Sequence, residues 1–475
     1  MIGRRLTLLG GLALCASAAA QPAAPDRRPP GDKSASITVG GRNLQASVAT
    51  LRLANPQGVA QAEVVTTAFC LAGADPATRP LTFALNGGPG AASAWLDLGA
   101  IGPWRVPFGA PSEPPVPQEN GQTWLDFTDL VFIDPPGTGY SRIVATGDEV
   151  RRQIYGVDGD IELLAVVVRR WLEANGRFAS PKFIVGESYG GFRGPKLARA
   201  LLDRQGVGIA GLVLISPVLD FNARDTAWDP MRFVRTLPSM AAVVRGATSR
   251  ADVADVEAYA TGEFLQDILR GESDPAAVER LVQRVTAITG LDPGLVRRRA
   301  GRVDTASFLK ERQPGRVGSP YDGAVAALDP FPSDPYDHSP DPILDGMRGP
   351  LTPAMLALYA QRLQWQPEGA PERQYEILSN SVASQWDYGR HNARPESYSD
   401  LRQYLAVDPS TRVLVVHGID DLVTPYFGTK LLLDQTPPFA AGRLSLLVTP
   451  GGHMLYASDT ARGQLHDGAA ALVRE

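Results

Sequence analysis

The chain has 475 residues, 44% hydrophobic and 20% charged, with a formal net charge of −5. These values fit one large α/β domain with an insertion, or two ordinary domains, and exclude a disordered or low-complexity protein. The mild negative charge provides neither a basic surface for nucleic acid nor attraction to an acidic membrane, so neither is an expected partner.

The N-terminus, "MIGRRLTLLGGLALCASAAAQP", has the parts of a secretory signal: Arg4 and Arg5, an apolar core over residues 6–14, and a small-residue cleavage site at Ala18-Ala19-Ala20. Residues 1–20 are expected to direct export to the periplasm or beyond, by the general secretory route in preference to the twin-arginine one. Leu14 before Cys15 is a poor fit to a lipidation site. The apolar core is too short to span a bilayer, and no later run is long enough, so no stable membrane insertion is expected. Residues 21–35 are Pro-rich and polar and read as a flexible leader. After cleavage Cys70 is the remaining cysteine, which excludes an internal disulfide; the expectation for it is a small buried group on a strand.

Next come alternating stretches, "LQASVATLRL" and "AEVVTTAFCLAG", which predict an antiparallel entry to a sheet. Apolar strand candidates follow: "LTFALN" (81–86), "DLVFID" (129–134), "KFIVGE" (182–187), "GLVLIS" (211–216), "RVLVVHG" (412–418) and "RLSLLVT" (443–449). Helical patterns follow several of them, such as "DIELLAVVVRRWLEANG", with Asp158 as the expected cap. Strands buried on both faces and alternating with helices predict a doubly wound, mostly parallel sheet. Between residues 221 and 376 the alternation breaks into helical segments and a Pro/Asp loop, the pattern of an inserted helical cap. The core is therefore expected over 36–220 and 377–475. The loop acids Asp329, Asp334, Asp337, Asp341 and Asp345 lack the glycine and glutamate of a calcium loop and read as turn residues; neither metal nor cofactor is expected.

The chemistry begins at "KFIVGESYGG": a strand, a sharp turn and a helix start, the context of a G-x-S-x-G nucleophile elbow. Gly186 and Gly190 remove side chains where strand and helix cross, leaving Ser188 exposed. A serine needs a base. Of the five histidines, His338 and His391 fall in loop or polar stretches, His466 on the last helix, and His417 at a strand end as a structural residue. His453, in the glycine turn after the last strand, is the base candidate. The acid belongs between serine and histidine in an α/β-hydrolase; "VVHGIDDLVTP" supplies Asp421, with Asp420 as its solvated neighbour. "LNGGPG" (85–90) ends a strand in Asn86, and its turn, together with the Tyr189 amide, offers N–H groups to an oxyanion.

These pieces, "LNGGPGAAS", "WLDFTDLVFIDPPGTGYS", "VGESYGG", "HGIDDLVTP" and "TPGGHMLY", resemble the serine carboxypeptidase family, peptidase family S10, in order and without its disulfides. The resemblance implies an α/β-hydrolase fold, a Ser188–His453–Asp421 triad, and an oxyanion hole from the Gly88 and Tyr189 amides. It also implies binding of a peptide's free C-terminal carboxylate by Asn86, Gly87 and Glu187. Two carboxyl groups so placed must share a proton, so Glu187 is expected to act protonated and to favour acidic pH. The chain departs from the family at Ala84, Ala91 and Ala100, the last where a second glutamate stands; Asp97 is the candidate replacement. Trp386 and Tyr388 read equally as pocket lining or core. The implied activity is an exported serine carboxypeptidase acting through an acyl-enzyme. An esterase or acyltransferase on the same triad is the alternative, and a non-catalytic binding protein the reading from another class. The oligomeric state is not legible in the sequence.

Overall fold

Residues 42–54 bury Leu44, Ala46 and Val48 and turn the residues between them outward, the pattern of a strand covered on one face. In this computed structural model, which describes residues 32–107, 112, 115–221, 226, 228–333, 341–367, 374–389 and 395–475, that stretch is the second strand of the central sheet. The expected signal and the leader to residue 31 lie outside the described residues. Its last residues do not behave as a leader: Lys33–Val39 pairs with Arg42–Ala54 as an antiparallel ladder.

The nine principal strands are β1 (Lys33–Val39), β2 (Arg42–Ala54), β3 (Ala60–Leu71), β4 (Leu81–Leu85), β5 (Asp129–Ile133), β6 (Lys182–Glu187), β7 (Gly211–Ile215), β8 (Arg412–Gly418) and β9 (Leu444–Thr449). Their spatial order is β1-β2-β3-β5-β4-β6-β7-β8-β9. The first three join the sheet antiparallel, and every pairing from β5 onward is parallel. This is an α/β-hydrolase sheet. Strands β4, β5 and β7 are buried along their whole length, because helices cover both faces.

One face carries α1 (Val157–Ala174), α2 (Tyr189–Ala200) and the helix Tyr398–Val407. The other carries the C-terminal helix Asp459–Arg474. Helix α1 starts after Gly156, whose extended backbone makes it the N-cap; Asp158, expected as the cap, lies in the first turn.

The expected cap, 221–376, divides in two. Residues 230–309 form a helical unit with its own apolar centre of Phe264, Val285 and Phe308, which continues into Ile419 and Leu422 of the sheet domain. The helix Leu344–Ala357 instead buries Leu351, Ala354 and Met355 against the sheet face. Within the Pro/Asp loop, residues 334–340 lie outside the described residues. Asp329 pairs with Lys310, and Asp341 accepts the N–H groups of Ile343 and Leu344.

Candidate active site

Four loops at the carboxyl ends of β4, β6, β8 and β9 bring the sequence-derived residues to one edge of the sheet. The elbow after β6 is closely packed. A Cβ on Gly186 would lie 2.1 Å from the Gly190 carbonyl oxygen, and one on Gly190 would lie 2.2 Å from that of Leu85. Only glycine allows helix α2 to leave the strand this steeply. Ser188 takes φ 57°, ψ −118°, a strained conformation for a residue with a side chain. Its N–H donates to the Ile215 carbonyl at 2.9 Å, and its side chain is partly exposed.

Asp421 and His453 are joined directly. His453 Nδ1 lies 2.8 Å from Asp421 Oδ2, with both side chains buried. Asp421 Oδ1 accepts the N–H groups of Val423 (2.8 Å) and Thr424 (2.9 Å). Burial opposes the Asp421 charge, but the neighbouring imidazole and these donors hold its carboxyl below the usual range. Burial likewise opposes the imidazolium, and Asp421, with Glu187, outweighs it and raises His453. Among the described residues the imidazole bonds to Asp421 and Thr424, and none of its hydrogen bonds reaches Ser188 Oγ. Serine and histidine are linked through the backbone instead, since Ser216, next to Ile215, donates from Oγ to the His453 carbonyl at 2.9 Å.

Asn86 directly follows β4 and faces the elbow. Its amide nitrogen donates to Glu187 Oε2, and its oxygen accepts from Leu96 N at 3.0 Å. Its carbonyl takes a hydrogen bond from Arg193, 2.7 Å away, which a buried ion pair with Asp160 holds in place. Gly88 has φ +94°, and a Cβ on Gly87 would sit 2.6 Å from the Tyr189 nitrogen. The Tyr189 amide, at the first position of α2, and the Gly88 amide donate to no backbone carbonyl among the described residues.

Glu187 is buried. Tyr456 donates its hydroxyl to Oε1 at 2.9 Å. Burial first of all pushes the carboxyl up to about 7, while His453, Tyr456 and Asn86 pull the other way. Tyr456 stands in the "TPGGHMLY" stretch, yet sequence reasoning missed it. Asp97, the candidate substitute acid, makes no hydrogen bond to Glu187. Its carboxylate makes no hydrogen bond among the described residues, and burial, with Asp134 beside it, raises it well above the usual range.

Of the other expectations, some are corrected and some hold. Asp420 is not solvated: it is buried, and burial followed by Asp322 pushes it up to about 7. Trp386 is buried scaffold, donating to Tyr189 OH at 3.1 Å, whereas Tyr388 is 38% exposed and packs on Phe221. His417 is buried, and burial lowers it to about 4. Cys70 is only partly buried; desolvation and Asp129 push its thiol up to about 12, a poor nucleophile. His466 packs its ring on Phe127; His338 and His391 lie outside the described residues.

A segment of the helical insertion reaches the site. Tyr321 accepts the His453 N–H on its carbonyl at 2.5 Å and sets its ring edge-on to the imidazole, 5.6 Å between centroids. Pro320 O accepts Leu422 N at 3.0 Å, and Gly323 N donates to Asp420 O at 3.0 Å. Residues 320–323 therefore hold both the acid loop and the histidine loop.

Residues 68–265 match the family model described as serine carboxypeptidase. A pheromone-processing carboxypeptidase KEX1 of Phaeosphaeria nodorum is 33% identical over 122 residues, covering 25% of this chain and 17% of that protein. Serine carboxypeptidase-like 44 of Arabidopsis thaliana is 30% identical over 167 residues, covering 32% of this chain and 33% of that protein. The chain thus spans a third or less of the length of these relatives. A solved proline iminopeptidase of Mycobacterium smegmatis aligns at 14% identity and TM-score 0.36, covering 93% of this chain and 97% of that one. Over residues 68–265 the chain is therefore similar to the serine carboxypeptidase family.

Proposed function

We propose that this chain is a serine carboxypeptidase family member and removes C-terminal residues from peptides through an acyl-enzyme on Ser188. The observation that carries the proposal is the buried acid Glu187, directly beside the nucleophile, held by Asn86 and Tyr456. A general esterase has no need of a desolvated carboxyl there. A peptidase that reads a free C-terminus does.

In this mechanism His453 takes the Ser188 proton as the hydroxyl attacks the last peptide carbonyl, the Oγ–Nε2 hydrogen bond closing on substrate binding. Asp421 fixes the Nδ1–H tautomer and stabilises the imidazolium. The Gly88 and Tyr189 amides receive the oxyanion, each such donor contributing roughly 3 kcal/mol to the barrier. His453 returns the proton to the departing amino group, and water then cleaves the acyl-enzyme by the same steps in reverse. Asn86, the Gly87 amide and protonated Glu187 hold the substrate carboxylate.

The pH dependence follows from Glu187. Its folded value of about 7 keeps it protonated at acidic to neutral pH. Above that it ionises and repels the substrate carboxylate, so KM rises. The His453 limb runs the other way, because the base must be neutral to act. Peptidase activity is expected to peak on the acidic side of neutrality. Export through residues 1–20 is part of the proposal and is tested by N-terminal sequencing of the exported form, with cleavage expected after Ala20.

N-blocked dipeptides with free or amidated C-termini, assayed from about pH 5 to about pH 9, test the reading. Strong preference for the free acid, lost as pH passes about 7, supports it. Equal turnover of amides or esters favours the esterase or acyltransferase alternative.

A further inference from the structure

The acid loop carries a second polar group that the triad chemistry leaves unused. Asp421 Oδ1 is occupied by two backbone N–H groups, so Oδ2 alone serves the imidazole. The Thr424 hydroxyl lies within reach of three atoms at once: Asp421 Oδ2 at 2.6 Å, His453 Nδ1 at 3.1 Å and the Ser216 carbonyl at 3.1 Å. A hydroxyl has one proton and two lone pairs, so it cannot donate fully to both oxygens. One arrangement gives its proton to Oδ2 and its lone pair to Nδ1–H. The 2.6 Å separation selects it, because turning the proton to Ser216 would leave two oxygens that close with no proton between them.

Ser216 supplies the fixed end of this arrangement. It is completely buried, and its φ of +44° is a left-handed value that a non-glycine residue holds only under constraint. That backbone conformation places the carbonyl on Thr424 while the side chain donates to the His453 carbonyl at 2.9 Å. One strained residue thus ties the loop of the acid to the loop of the base.

We propose that Thr424 is a positioning residue: its hydroxyl, set beside the Ser216 carbonyl, donates to Asp421 Oδ2 and accepts from His453 Nδ1–H, and so holds the imidazole with Nδ1 protonated and Nε2 turned toward Ser188. The inference rests on the triad reading above. It acts on kcat, because it orients the base and touches no substrate.

The test compares the full-length wild type with Thr424→Val, which keeps the shape and removes the hydroxyl, Thr424→Ala, and Thr424→Ser, which restores it. Each is assayed on a free-acid blocked dipeptide, with thermal unfolding and the downfield proton NMR signal of the His453 Nδ1–H as further readouts. Loss of a hydrogen bond to a charged group predicts a kcat roughly ten- to a hundredfold lower for whichever of the Val and Ala variants folds, with KM within about twofold. The Nδ1–H signal shifts or broadens in that variant, and Thr424→Ser recovers most of the rate. A folded Val or Ala variant with wild-type kcat and an unmoved signal overturns the inference while leaving the triad intact. A Ser variant as impaired as the Val variant also overturns it. A wild type in which fluorophosphonate fails to label Ser188 overturns the triad reading itself, and this inference with it.

Discussion

The sheet edge and the helical insertion lie on either side of the same histidine, and they are built by different rules. At the sheet edge each chemical residue follows a strand by a few positions, so its place is set by parallel ladders such as β4 with β6 and β8 with β9. In residues 230–309 helices gather around Phe264, Val285 and Phe308, and no polar group of the site lies inside that cluster. The two meet at residues 320–323, whose backbone bonds to both catalytic loops. Chemistry is therefore concentrated where parallel ladders fix the backbone, and the insertion reaches it through residues 320–323 and through apolar packing on Ile419 and Leu422.

Substitutions can break that division of labour, the largest expected effect being at the nucleophile. Ser188→Ala should lower kcat by on the order of 10⁴- to 10⁶-fold with an unchanged unfolding temperature; near-normal turnover would show that the sheet edge does not hold the chemistry. Phe308→Ala, in the insertion's core, should give the opposite result. It should cost about 3–5 kcal/mol of stability in chemical denaturation, while the folded fraction keeps kcat within about twofold. A large kcat loss at full stability would erase the contrast.

A subtler change is Glu187→Gln. The wild type should lose affinity for free-acid peptides as pH rises through about 7, and the Gln variant should lack that limb because it has nothing to ionise. An unchanged alkaline limb would assign it to another group. Tyr321→Ala probes the junction. Its carbonyl contact survives and only the ring edge against His453 is lost, so kcat should fall by a few fold, in keeping with the ~0.5–1.5 kcal/mol of an aromatic pair. Tyr321→Phe should restore it.

The same contrast explains how much could be read from the sequence. The elbow was legible because a strand–helix crossing that leaves 2.1 Å for a Cβ demands glycine, and the demand appears as letters. The succession of core strands along the chain was legible from apolar runs bounded by turns. Tyr456 and Thr424 were not, since a hydroxyl acquires its role only when chain segments far apart in sequence, Glu187 and Tyr456 or Ser216 and Thr424, are brought together. Counting residues toward a substitute for the second glutamate pointed to Asp97. The five-residue π-helical turn Asp97–Ile101 lodges that carboxyl beside Gly102 instead. Asp420 looked solvated because two adjacent acids suggest one inward and one outward, yet both are buried, and Gly323 of the junction bonds to the Asp420 carbonyl. Helix Leu344–Ala357 was legible from "TPAMLALYAQRLQW" onward, while its first turns were hidden by Pro350 and the Pro/Asp loop before them.

The most direct test of the account is the site of covalent labelling. The folded full-length chain, treated with a fluorophosphonate and mapped by mass spectrometry, should carry a single adduct on Ser188. Labelling should slow sharply in His453→Ala and vanish in Ser188→Ala. A folded chain that takes no label, or takes it on another residue while Ser188 stays free, would contradict the account.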